Sequence, residues 1–209
     1  MVEATDCEAR IRARFDAGDA KGAGTALLEA YGREVLGFLI ARLRDREAAS
    51  EVFSQFAEDL WKSLGTFRWQ CSSRAWAYMI ARQAASRHIR SARLRRRREL
   101  SLSHAGPLSA IAEKIRTATF PTGRADVQSR AAMLRERLPI DDQTLIILRV
   151  NRRLEWNEIA RVMARDGEAL SDAALSKAAA RLRKRYQLAK EKLRRMAVDE
   201  GLVPPDRAH

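Results

Sequence analysis

The side chains best suited to metal ligation or nucleophilic attack are few and scattered. His88, His104 and His209 are far apart, and Cys7 and Cys71 form no CxxC pair. No glycine-rich phosphate loop, nucleophile–base spacing or metal-ligand spacing appears, so catalysis is not expected and no cofactor or metal is implied. The constellation that does repeat is cationic and aromatic. WAYMIARQAASRHIRSARLRRRR, Trp76 to Arg98, begins as an apolar helix and ends as a comb of arginines with no acid between them. Phe67, Trp69, Trp76 and Tyr78 lie in or just before it. Aromatic faces can stack on unpaired bases while arginines follow the phosphates. The ordinary alternative for each aromatic is core packing, and it is favoured for Trp61 and Trp76.

The whole chain shares this bias. Its 209 residues hold 40 Lys+Arg against 27 Asp+Glu, a net charge of +13. Such an excess favours a polyanionic partner, because phosphate contacts release condensed counterions. At 46% hydrophobic, the chain has enough apolar material for one large or two small domains. The opening MVEATDCEAR has no apolar run of the kind a signal peptide needs, and no window reaches a membrane span. Reduced thiols and a cytoplasmic location are the expectation.

Elements that could position the comb are helical throughout. Leu27, Leu28, Tyr31, Val35, Phe38 and Leu39 share one helical face, and Val52, Phe53, Phe56, Leu60, Trp61 and Leu64 share another. Trp76, Met79, Ile80, Ala84 and Ile89 make a third stripe. GTFRWQCSSR, Gly65 to Arg74, reads as a loop between the second and third helices. Ser, Gly and Pro then weaken the pattern over about 99–126, which reads as a linker. Helix resumes at 130–138, stops at Pro139, and restarts at 141–150 with Asp141 as the expected N-cap. Two more helices are expected at 155–164 and 172–198. The fold class is therefore all-α: two small helical domains, 1–98 and 127–200, joined by a linker, with a frayed tail at 201–209.

EWNEIARVMA followed by RDGEAL and a long basic helix has the layout of a helix-turn-helix. Leu175, Ala179, Leu182, Tyr186, Ala189, Leu193 and Met196 keep 3-4 spacing on one face. Lys177, Arg181 and Lys184 lie opposite, with Arg185 and Gln187 flanking. A helix with one apolar and one cationic side can pack inward while presenting cations to a groove. A solvated helix face or a coiled-coil seam would produce the same pattern.

Four stretches together resemble one family. AASEVFSQFAEDLW resembles the second conserved region of sigma-70 family transcription factors, and FRWQCSSRAWAYMIARQAASRHIR resembles the stretch that follows it. LPIDDQTLIILRV with WNEIARVM, then RLRKRYQLAKEKLR, resembles the last conserved region. With no large regions before or between them, the likeness is to the extracytoplasmic-function group, which implies no enzymatic activity. The resemblance implies that Glu51, Ser54, Gln55 and Glu58 dock on the polymerase core. It implies that the loop Phe67–Arg74, including Arg68, Trp69 and Arg74, captures a flipped base of the −10 element. Trp76, Tyr78, Arg82, Gln83, Arg87 and Arg90 would line the strand-separation site. Lys177, Arg181, Lys184, Arg185 and Gln187 would face the −35 major groove.

Partners implied by the resemblance are RNA polymerase core enzyme, promoter DNA and an anti-sigma factor, with the free protein a monomer and no membrane involved. Gln55 stands where the family usually has an acid, and Ser54 where it usually has Gln. The turn after WNEIA is longer than usual, so two registers of the recognition helix stay open, seven residues apart. Two alternatives also stand. A stand-alone helix-turn-helix regulator would bind duplex without polymerase, and a polymerase-associated or RNA-binding protein would bind single strands without sequence preference.

Overall fold

The computed structural model describes residues 2–99, 133–164 and 170–204, with side chains described for 6–92, 133–164 and 170–204. The expected linker, the arginines Arg95–Arg98 and the end of the tail lie outside the described residues or side chains. Every regular element among the described residues is helical. The amino-terminal bundle comprises α1 (Val2–Asp16), α2 (Ala20–Leu43), α3 (Arg46–Ser63) and α4 (Ser73–Glu99). The carboxy-terminal part comprises α5 (Ile140–Ile146), extended by a π-helical turn over Ile147–Asn151, then α6 (Trp156–Met163) and α7 (Asp172–Asp199). A shorter helical turn covers 133–136.

Helix boundaries follow local chemistry. Asp19 caps α2 by accepting from the Gly22 amide at 2.8 Å, and Asp45 caps α3 through the Glu47 and Ala48 amides. Gly18 and Gly201, with φ of 76° and 68°, supply the left-handed turns after α1 and α7. Glu155 and Glu158 form a reciprocal capping box at the start of α6. Asp141 is not the N-cap of α5: Pro139 occupies that position with no side-chain cap, and Asp141 falls inside the first turn. There its charge still favours the helix dipole.

Stripes read from sequence become the core. Leu27, Val35, Phe38, Leu39, Val52, Phe56 and Leu60 are essentially inaccessible. Trp61, expected in that core, is instead 39% exposed. Its indole lies against Gly24 of α2, where an added Cβ would come within 3.1 Å of the ring. Glycine makes a shallow notch there, so the ring is half covered rather than engulfed. α1, which carries no long stripe, docks on α2 through Ile11 and Phe15.

The two halves do not stand apart. Leu145, Leu148, Leu154, Ile159 and Val162 join the same buried cluster as Phe38, Tyr78 and Ala81. α6 packs on α4, and α5 touches α2. Polar contacts cross the same boundary: the Arg42 guanidinium donates to the Thr144 hydroxyl, and Arg82 to the Ala164 carbonyl at 3.0 Å. Arg152 donates to the Glu34 carbonyl at 3.2 Å, and Arg44 to the Glu136 carbonyl at 2.6 Å. A smaller cluster of Leu138, Ile146 and Ala189 seats α7 on α5, joined by Tyr186, Leu193 and Met196.

Candidate nucleic-acid interface

The loop before α4 is an aromatic assembly. Phe67 stacks on Trp76 with ring centroids 4.4 Å apart and planes 16° from parallel. Trp69 leans on Phe67 at 4.7 Å and meets Phe15 of α1 edge-on at 5.5 Å. The Arg12 guanidinium covers the Trp69 ring at 4.6 Å. Trp69 takes a positive φ of 54°, a conformation unusual for a bulky side chain, so surrounding contacts must hold it. Arg68 and Gln70 alternate outward and are exposed.

The first turn of α4 is tied down twice. Ser72 accepts from the Ala75 amide at 3.1 Å. Glu8, reaching from α1, accepts from the Ser73 amide at 2.9 Å, the Arg74 amide at 3.0 Å and the Ser73 hydroxyl at 2.9 Å. Helix starts leave such amides without intrahelical partners, and here three of them are satisfied by two side chains. Glu8 also accepts from the Tyr31 hydroxyl at 2.9 Å. Burial, reinforced by the Glu8 charge, holds that phenol well above its ordinary pKa.

Several residues expected on the DNA face are buried or engaged within the protein. Tyr78 is wholly buried, donates to Glu34 at 3.2 Å and has no surface for a base. Burial pushes its phenol pKa up as well. Trp76 and Phe67 are buried at 6% and 8% exposure, each supporting the other's ring. Arg74 is engaged with Glu34 at 2.8 Å. Arg82 points at the second half, with its Nε buried and without a hydrogen bond among the described residues. Gln83 is partly buried, whereas Arg87 and Arg90 are exposed on α4. Arg87 pairs with Asp59 of α3. Of the amino-terminal set, Arg68, Arg87 and Arg90 have most surface to offer, with Trp69 half covered.

On α3, Glu51, Ser54, Gln55 and Glu58 are all exposed along one face. They line a groove of about 630 Å³ whose other wall is Arg87, His88 and Ser91 of α4. Gln55 donates to Glu58 at 3.1 Å and to Asp59 at 2.9 Å, so its amide joins the acids rather than breaking their row.

On α7, Leu175, Ala179 and Ala189 are buried, with Leu182, Tyr186, Leu193 and Met196 partly so. Lys177, Arg181, Lys184, Arg185 and Gln187 are exposed, as the 3-4 spacing requires. Arg185 is paired with Asp142 of α5. Trp156, at the start of α6, is edge-on to Tyr186 at 5.6 Å and lies under Arg149 at 4.9 Å. This aromatic contact joins the two helices of the helix-turn-helix.

Residues 27–95 match the family model for sigma-70 region 2. That span covers most of α2, all of α3 and most of α4, the elements that carry the acidic groove, the aromatic loop and the arginine-rich helix. Among curated proteins none matches the sequence. Among solved structures, the sigma factor RpoE in complex with the anti-sigma factor NepR from Bartonella quintana matches at 17% identity and a TM-score of 0.52. The match covers 78% of this chain and 94% of that one. At that identity the likeness is one of fold, and at 78% of this chain it reaches beyond residues 27–95. No described helix is long and apolar enough to cross a membrane, and no described cluster of His, Cys, Asp and Glu could hold a metal ion.

Proposed function

We propose that this protein is a sigma factor of the extracytoplasmic-function type and directs core RNA polymerase to promoters by two separate readings of DNA. The observation that carries this reading is the region 2 match over 27–95, placed in one chain with the helix pair α6 and α7. The exposed α3 face (Glu51, Ser54, Gln55 and Glu58) docks on the core enzyme. The loop Phe67–Arg74 takes up a base from the −10 element, with Arg68 and Trp69 nearest the surface. Phe67, Trp76 and Tyr78 form the rigid wall beneath it rather than contacting bases. Arg82, Gln83, Arg87 and Arg90 track the displaced strand, and Arg82 becomes available only when its bond to Ala164 is released.

α7 enters the −35 major groove with Lys177, Arg181 and Lys184 foremost, and Arg185 and Gln187 at the edges. Extruding a base costs a few kcal/mol of stacking, which a stacked pocket and cationic track together offset. The protein supplies specificity, not chemistry. An anti-sigma protein is the third partner we infer, since the matched RpoE structure is one of a sigma factor bound to such a protein.

Run-off transcription with purified core polymerase and genomic promoter fragments tests the reading. Discrete transcripts should appear only when this chain is added. Duplex binding that needs no polymerase, with no transcripts, would favour a stand-alone helix-turn-helix regulator instead.

A further inference from the structure

α1 lies before the region 2 match, and none of its residues is among those proposed to meet DNA or polymerase. Its contacts nonetheless converge on the base-capturing loop from both ends. At one end, the Glu8 carboxylate accepts three hydrogen bonds from Ser73 and Arg74, where the loop becomes α4. At the other, Arg12 and Phe15 hold Trp69 in its positive-φ conformation by a cation–π contact and an edge-on ring contact. Ile11, only 1% exposed, anchors α1 in the core between these two sets. One helix, with Glu8, Arg12 and Phe15 at i, i+4 and i+7, thus grips a loop more than fifty residues away.

We propose that α1 is the positioning element of the −10 loop and that Glu8 is its principal positioning residue. This rests on the reading of Phe67–Arg74 as the base-capturing loop. Without the carboxylate, the amides of Ser73 and Arg74 and the Ser73 hydroxyl lose a common acceptor. The helix start can then fray, and the loop's exit direction varies. Trp69 bears an intrinsically unfavourable backbone angle, so it relaxes once Arg12 or Phe15 lets go. Neither Glu8 nor Phe15 needs to touch DNA for base selection to suffer.

Glu8→Gln keeps the shape but places an amide N–H₂ where an oxygen now accepts. The assay uses holoenzyme reconstituted from core polymerase and the full chain. Its probes are single-stranded oligonucleotides spanning the −10 region of a promoter active in run-off transcription, intact or scrambled. Affinity for the intact strand should fall about tenfold, and discrimination against the scrambled strand should shrink with it. Core affinity and binding of a −35 duplex should stay within twofold.

Phe15→Ala should reproduce the loss of discrimination through the other end of the grip. Tyr31→Phe removes one donor to Glu8 while keeping its ring, and should give a smaller loss in the same direction. If Glu8→Gln lowers core, −35 and −10 binding equally, the helix is merely structural and the proposal fails. It also fails if the −10 affinity is unchanged while Arg68→Ala and Trp69→Ala lose it. Should Arg68→Ala and Trp69→Ala leave −10 binding intact, the loop reading itself is wrong.

Discussion

Tyr78 and Trp76 show that an aromatic side chain on a basic helix need not face a base. Both sit in the aromatic-rich start of α4, yet both are inside the bundle. A base-stacking role needs an open face, and Tyr78 has none. Tyr78→Phe should therefore cost about 1 kcal/mol of stability through the lost bond to Glu34, read by urea unfolding, and leave −10 strand binding unchanged. A loss of strand affinity without a loss of stability would return Tyr78 to the DNA face. Arg68 presents the contrary case, an exposed cation in the loop whose removal should weaken strand binding without destabilising the fold.

Among the elements, α7 carries an apolar face and a cationic one. Its apolar side is seated on α5 and α6, so the cations opposite are held at fixed spacing along the axis. Replacing Arg181 and Lys184 with alanine should abolish −35-dependent initiation while core binding persists. The salt dependence of duplex binding should fall by about 0.9 in log–log slope for each phosphate contact removed. Loss of core binding in that double variant would mean that α7 meets polymerase rather than DNA. α1 lies at the other extreme of legibility. Its Ile11 and Phe15 are four apart and Gly18 ends it, signals visible in the sequence but too short to stand out as a stripe. Its importance rests on Glu8, whose partners lie 65 and 66 residues away.

At the scale of the whole molecule, the two described halves are packed against each other. α6 covers part of the α4 face assigned to promoter DNA, and Arg82 is bound to Ala164. Ser72, which caps α4, donates to Glu158, which caps α6, so the two helix starts are joined. The Nε groups of Arg42, Arg82 and Arg152 make no hydrogen bond among the described residues although all three are buried at this boundary. Burial also lowers the pKa of Arg42, with the like charge of Arg82 adding to it. Desolvated guanidinium groups with incomplete hydrogen bonding make a seam that is costly to keep shut.

Cys71 reports on that seam. It borders a cavity of about 200 Å³ between Phe67 and Trp76 on one side and Arg161, Ala164 and Leu170 on the other. Burial pushes its thiol up to about 11. The thiolate is the reactive form, so labelling near pH 8 should be slow while the seam is closed. In a Cys7→Ser background, adding core polymerase should expose Cys71, bring its pKa back down and speed alkylation. An unchanged rate with polymerase bound would mean that the halves need not part.

The helical class, the faces of α2, α3 and α7, and the cationic composition were determined by the sequence alone, because period and charge are local properties of consecutive residues. So was the family resemblance, whose amino-terminal portion the region 2 match bears out over 27–95. Tertiary structure alone decided which aromatics face inward, that Trp61 lies half exposed over Gly24, and that Glu8 governs a helix start far along the chain. It alone joined the two halves across a polar seam. These outcomes depend on contacts between residues distant in sequence, where the neighbour supplied by folding, rather than the residue's own type, determines burial and hydrogen bonding.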